Sequence, residues 1–87
     1  MARRSKSETQ RMFRAMAVLL RNTTWKCGRI ERLVVEYLQS HLRNNGTPWS
    51  RIKDMVQAFK LQGKQKSEFF DALRRLEKRR IISIEGF

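Results

Sequence analysis

The side chains able to do chemistry in this sequence are few in kind, and most of them are cations. His41 is the single histidine and Cys27 the single cysteine. No intrachain disulfide and no Cys/His zinc set can therefore be assembled. His41 falls late in a helical pattern, with no Ser, Cys or Asp at a useful spacing, and suits a surface position near a helix end. Cys27 reads as a small, partly buried thiol. No glycine-rich phosphate loop and no paired-carboxylate motif occurs, so the chain is not expected to be an enzyme, to need a cofactor or to take a small-molecule substrate.

The cations are the chemistry. Lys and Arg number 20 against eight Asp and Glu, a formal net charge of +12, and the sequence pI is near 11.3. Such a charge opposes compaction of the chain on itself. A surface built only for solubility would mix the two signs. The simplest compensation is a polyanion: phosphates neutralised by Lys and Arg release condensed counterions, so nucleic acid is the expected partner. The densest tract is Arg74, Arg75, Lys78, Arg79 and Arg80. Taken singly, each of these could equally be solvated surface or a helix end favoured by the dipole. As a group they favour phosphate contact.

Elements must hold these charges in place. With 87 residues the chain makes one domain with a small core. Residues 1–6 read as a basic disordered arm carrying Arg3, Arg4 and Lys6, and residues 7–87 as the single domain. Ser7 to Gln10 fits a capping box. A first helix is expected over 7–21, with Met12, Phe13, Met16, Ala17 and Leu20 at three- and four-residue spacings. Val18 and Leu19 widen that stripe, and a second contact surface is one explanation. A second helix begins near Trp25, capped by Thr24, or slips to Arg29 because Gly28 weakens its first turn. Its apolar positions are Ile30, Leu33, Val34, Tyr37, Leu38 and Leu42, and Asn44, Asn45 and Gly46 stop it. Thr47 caps a third helix with Pro48 at its first position; Trp49, Ile52, Met55, Val56 and Phe59 are its apolar face. After the turn Lys60-Leu61-Gln62-Gly63, a fourth helix over 65–79 buries Phe69, Ala72, Leu73 and Leu76. Its open side carries Ser67, Glu68, Asp71, Arg74, Arg75 and Lys78. The β-branched run Ile81 to Ile84 then predicts a strand.

An α-helix fits the DNA major groove, and the N-terminal end of such a helix is the end usually pushed toward base edges. Lys64, Gln65, Lys66, Ser67, Arg74, Arg75 and Lys78 are therefore the candidate groove residues. Arg51 and Lys53 on the preceding helix are candidates for the phosphate backbone, and Arg3, Arg4 and Lys6 for a trailing arm. Glu68 and Asp71 would repel phosphates, but Asp71 can pair with Arg75 one turn on, or Glu68 can accept from a cytosine amino group.

The stretch Ala72-Leu73-Arg74-Arg75-Leu76-Glu77-Lys78-Arg79-Arg80-Ile81-Ile82 resembles the winged helix-turn-helix family of DNA-binding domains. Many members carry Ala-Leu-x-x-Leu-Glu-x-x-Gly-(Leu/Ile)-Ile there. The likeness covers residues 47–85, about half of the chain, and extends to Trp25. It implies a mainly α fold: a winged helix-turn-helix with an extra N-terminal helix and a truncated C-terminal wing strand. Residues 25–42 would be the family's first helix, 48–60 the second, 65–79 the recognition helix, and 81–85 the start of the wing. Arg80 stands where the family often has Gly, and the turn before the recognition helix is about one residue longer. The wing also needs a second strand: either the wing is vestigial or residues 81–85 pair elsewhere, for instance with residues near Thr47 or with another chain. Relatives often dimerise through an added helix, which here offers Met12, Phe13, Met16, Leu19 and Leu20.

The resulting expectation is a homodimeric, double-stranded-DNA-binding transcriptional regulator, cytoplasmic or nucleoid-associated. RNA or single-stranded nucleic-acid binding in replication or packaging, or a protein-interaction module, are the alternatives. Trp25 and Trp49 can stack on unpaired bases, although their places at helix starts argue for packing. The apolar run Ala15 to Leu20 is too short to span a membrane.

Overall fold

The computed structural model describes residues 11–86. Residues 11–13 are helical (α1) and lead through a turn into strand β1, Met16–Leu19. Helix α2 is Arg29–Asn45, strand β2 Trp49–Arg51, helix α3 Ile52–Ala58, helix α4 Lys64–Lys78, and strand β3 Ile82–Glu85. The three strands form one antiparallel sheet in the order β2-β1-β3. The architecture is α+β, which corrects the mainly α expectation.

The correction centres on β1. The expected helix over 7–21 has residues 7–10 outside the described region, and 16–19 are the central strand of the sheet. Ala15 to Leu20 contains no polar residue, so its apolar positions match a helical stripe and a doubly flanked strand equally well. The neighbours decide. Met16, Ala17 and Val18 pair with Arg51, Ser50 and Trp49 of β2. The full length of β1 pairs with β3, from Met16 opposite Glu85 to Leu19 opposite Ile82. Leu19 N–H donates to the Pro48 carbonyl at 2.7 Å, and Leu20 N–H to that of Ile81 at 2.8 Å. A strand with a partner on both sides can place its backbone groups in two ladders, as a helix would satisfy them internally.

The same pairing corrects the wing. β3 is not left truncated, and its partner is neither the region of Thr47 nor another chain. Gly86 lies so close behind β1 that a Cβ there would sit 2.5 Å from that of Ala15. The third expected helix is also shorter than 48–60: Trp49–Arg51 extends as β2, and α3 starts only at Ile52.

Alternation along the strands sorts the sheet into two faces. Ala17, Ser50 and Ile82 are buried against the helices, with Leu19 and Ile84 packed beside them. Met16, Val18, Trp49 and Arg51 look the other way. On α2 the buried residues are Glu31, Val34, Val35 and Leu38; Leu33 and Leu42, expected inside, are exposed. On α4 they are Phe69, Phe70, Ala72, Leu73 and Leu76. Tyr37, Phe59, Phe69 and Phe70 stack edge to face across α2, α3 and α4, with successive centroids 5.4, 6.1 and 5.5 Å apart.

Both α3 and α4 end in the same device. Leu61 N–H donates to the Val56 carbonyl and Lys60 N–H to that of Gln57; Ile81 N–H donates to Leu76 and Arg80 N–H to Glu77. These paired six-to-one and five-to-two bonds are Schellman motifs. Each places a basic residue, Lys60 (φ 55°) or Arg80 (φ 59°), in the left-handed region. Arg80 thus adopts a left-handed conformation that Gly would take without a Cβ penalty.

Candidate nucleic-acid interface

Helix α4 has one face wholly inside the core and the other in solvent. Lys64 to Glu68, Asp71, Arg74, Arg75, Glu77 and Lys78 are all exposed. A period of 3.6 arranges the outward residues in rows seven apart. Lys64, Asp71 and Lys78 form the ridge, Ser67 and Arg74 one flank, and Glu68 and Arg75 the other. The helix opens on Gly63 (φ 56°), and Gln65 Oε1 accepts from the Gln62 N–H at 3.3 Å. The Gln65 side chain therefore caps the turn as well as lying near the tip.

The flank facing α2 is not a free cationic edge. Arg75 Nε donates to Glu31 Oε2 at 2.8 Å, with the Glu31 side chain only 7% exposed. Glu31 Oε1 accepts from the Gly28 N–H at 2.6 Å. Burial alone would raise the Glu31 pKa. The hydrogen bonds from Gly28 and Arg75, with the charges of Arg75 and Arg79, outweigh it and hold the carboxyl below the ordinary glutamate range. Glu31 thus closes the N-terminus of α2 and ties it to α4. Arg75, expected to reach DNA, is at least partly a structural residue. Glu68 and Asp71 line a hollow with Arg29 and Arg75 on this same side, so the acidic residues of α4 sit among cations rather than opposing an incoming phosphate alone.

Arg79 is structural too. Its guanidinium donates to the carbonyls of Trp25 at 2.7 Å and Lys26 at 3.3 Å, and lies 3.7 Å from the Cys27 sulfur. It fastens the loop before α2 to the C-terminal end of α4. His41 takes no part: its Nδ1 lies 3.1 Å from Thr47 Oγ1 at the far end of α2.

A second cationic cluster lies where β1, β2 and α3 meet. Arg14, Arg51 and Lys53 line one hollow with Phe13 and Met16. Arg51 is opposite Met16 in the sheet, and Lys53 follows at the start of α3. Arg51 and Lys53 were expected at a backbone contact; Arg14 was not. Inside an expected helix, Arg14 is merely a polar residue between Phe13 and Ala15. Its signal is that it is the one charge interrupting the apolar run from Met12 to Leu20, just where the chain turns into β1.

Of the five residues expected at a dimer contact, Phe13 and Met16 border one hollow. Met12 is buried in the core, and Phe13 and Leu19 pack against it. Met16 faces outward from β1, and only Leu20, 54% exposed, is open. Part of the apolar width of this segment is used inside the chain, by Met12, Ala15, Ala17 and Leu19, while Met16 and Val18 lie on the outer face of the sheet. Arg3, Arg4 and Lys6 lie outside the described residues. Ser67, Asp71 and Arg74, although exposed, each take part in an interaction with a neighbour.

No helix among the described residues is long and apolar enough to cross a membrane. No protein-family model matches the chain, and no curated protein or solved structure matches it significantly.

Proposed function

We propose that this protein binds double-stranded DNA, with the outward face of α4 in the major groove and Arg14, Arg51 and Lys53 on the adjoining phosphate backbone. The observation that carries the reading is the division of α4. Its inner face is fully committed to the core, while its outer face projects Lys64, Gln65, Lys66, Ser67, Arg74 and Lys78 on a chain of net charge +12. A rigid helix with one face anchored and one exposed is the shape the groove accepts. The ridge residue Asp71 suits a groove better than a backbone, because base edges offer amino donors and phosphates offer none. The likeness to winged helix-turn-helix domains continues as part of this proposal in altered form. Helices α2, α3 and α4 would be the three-helix core, and β1, from the N-terminal side, would supply the strand that pairs with β3. An intracellular, transcription-regulating role goes with this reading.

Competition among blunt DNA duplex, RNA duplex and an acidic polypeptide at one salt concentration tests it. The proposal expects the DNA duplex to win. Selection from a random duplex library should then enrich a short motif, and Asp71→Asn should change the preferred base at one position while leaving others intact. Equal binding of DNA and RNA duplexes, or tighter binding of the acidic polypeptide, contradicts it.

A further inference from the structure

Trp25 is the most exposed large apolar residue described, with 69% of its surface in solvent. A packing role cannot explain it. The backbone that carries the indole is nonetheless pinned at Trp25 and Lys26. The Trp25 N–H donates to Thr23 Oγ1 at 3.1 Å, its carbonyl accepts from Arg79 at 2.7 Å, and the Lys26 carbonyl accepts from the same guanidinium. The Lys26 ammonium stands 4.7 Å from the indole centroid, so one ring face is covered by a cation.

The surroundings are strongly one-signed. Trp25 borders two adjoining hollows. One is lined also by Arg21, Thr23, Arg79 and Ile81, the other by Lys26, Glu31, Arg75, Lys78 and Arg79. Glu31 is the only carboxylate among these residues, and Arg75 already neutralises it. A solvent-facing indole on a pinned backbone, ringed by Arg and Lys, is the pairing that binds unpaired nucleotides: the ring stacks on any base, and the cations take the phosphates. An intact duplex offers no free base face at its sides.

We infer that Trp25 is a stacking site for an unpaired DNA base, at the end of α4 remote from Lys64. Fifteen residues at 1.5 Å each put the two ends of α4 about 20 Å apart, close to the width of a duplex. A strand leaving the duplex held by α4 can therefore reach Trp25. The proposal rests on the nucleic-acid reading of this chain and adds to it a preference for duplexes with a single-stranded extension.

The test uses a fluorescently labelled DNA duplex in two forms, blunt and with a ten-nucleotide single-stranded extension, and the extension is also supplied as RNA. Trp25→Ala should weaken binding of the DNA-extended probe by at least about fivefold and leave the blunt probe unchanged. Trp25→Phe should retain most of the lost affinity. In a Trp49→Phe background, the remaining indole emission should be quenched by the extended probe and not by the blunt one. Equal effects of Trp25→Ala on both probes, or none on either, overturn the inference. Tighter binding of the RNA extension overturns its commitment to DNA. The α4 reading fails separately: if Lys64→Ala with Lys66→Ala leaves blunt-duplex affinity intact while Trp25→Ala still weakens the extended probe, the stacking site stands and the groove helix does not.

Discussion

Helix α4 and strand β1 are both built from residues that match a helical stripe, yet only one of them is a helix. In α4 the apolar residues Phe69, Ala72, Leu73 and Leu76 are separated by Asp71, Arg74 and Arg75. The polar residues fix the phase, so only a period near 3.6 keeps both sets on their proper sides. In β1 the run Ala15-Met16-Ala17-Val18-Leu19-Leu20 has nothing to fix a phase. Its conformation is set by what lies beside it, two strands in need of a partner, and those strands are distant in sequence. A period is informative only where the chain alternates between two kinds of surface; a uniformly apolar run leaves the decision to tertiary pairing.

Substitutions in the two regions sharpen that contrast. Ala17→Asp should have the largest effect. The site is fully buried between Ser50 and Ile84, and a carboxylate there should cost at least ~4 kcal/mol, enough to unfold most of the population in a urea titration. Lys66→Ala on the open side of α4 should stay within ~0.5 kcal/mol in the same titration.

Next comes the tie between α2 and α4. Arg75→Ala should cost about 1–3 kcal/mol, because Glu31 stays buried with only the Gly28 N–H as partner. Because the folded state holds the Glu31 pKa below its unfolded value, its contribution is fully present above that unfolded value. It is lost as pH falls through the folded value. The gap in urea midpoint between wild type and Arg75→Ala should therefore narrow on acidification through that window. A gap independent of pH would mean that Arg75 acts through packing alone.

Val18→Ala separates strand from helix most cleanly. Val18 is half-exposed on the outer face of the sheet, so little packing confounds the result. Alanine favours helix and disfavours strand by up to ~1 kcal/mol. Destabilisation of that order fits β1; a gain in stability would return the segment to the helical reading. A small effect of opposite sign belongs to Arg80→Gly. Relief of the left-handed backbone, offset by the greater freedom of Gly in the unfolded chain, should stabilise by about 0.5–1 kcal/mol, measured as a higher Tm.

Much of the helical core was legible in the sequence. α4 lies within a residue of its expected bounds at each end, and four of its five buried residues were readable from spacing; Phe70 was missed because it sits at the edge of the stripe. The Arg29 start of α2 was one of two readings, and burial of Glu31 there explains why its apolar face is rotated away from Leu33 and Leu42. The strand after α4 was visible in Ile81 to Ile84, but its partner was not, since nothing local to Met16 points to Glu85 at the far end of the sequence. The candidate site divided in the same way. Which cations lie on the open side of α4 follows from its period. That Arg75 and Arg79 are tied down by Glu31 and by the Trp25–Cys27 backbone is a long-range fact, as is the meeting of Arg14 with Arg51 and Lys53.

The central claim is that the open face of α4 meets phosphates and bases. The direct measurement is the salt dependence of binding to a blunt DNA duplex, for wild type and for Lys64→Ala, Lys66→Ala and Lys78→Ala combined. Loss of three phosphate contacts should reduce the slope of log K against log salt by about 2.7, at roughly 0.9 per contact, with the urea midpoint changed little. An unchanged slope and affinity in a folded triple variant would contradict the assignment of α4 as the interface.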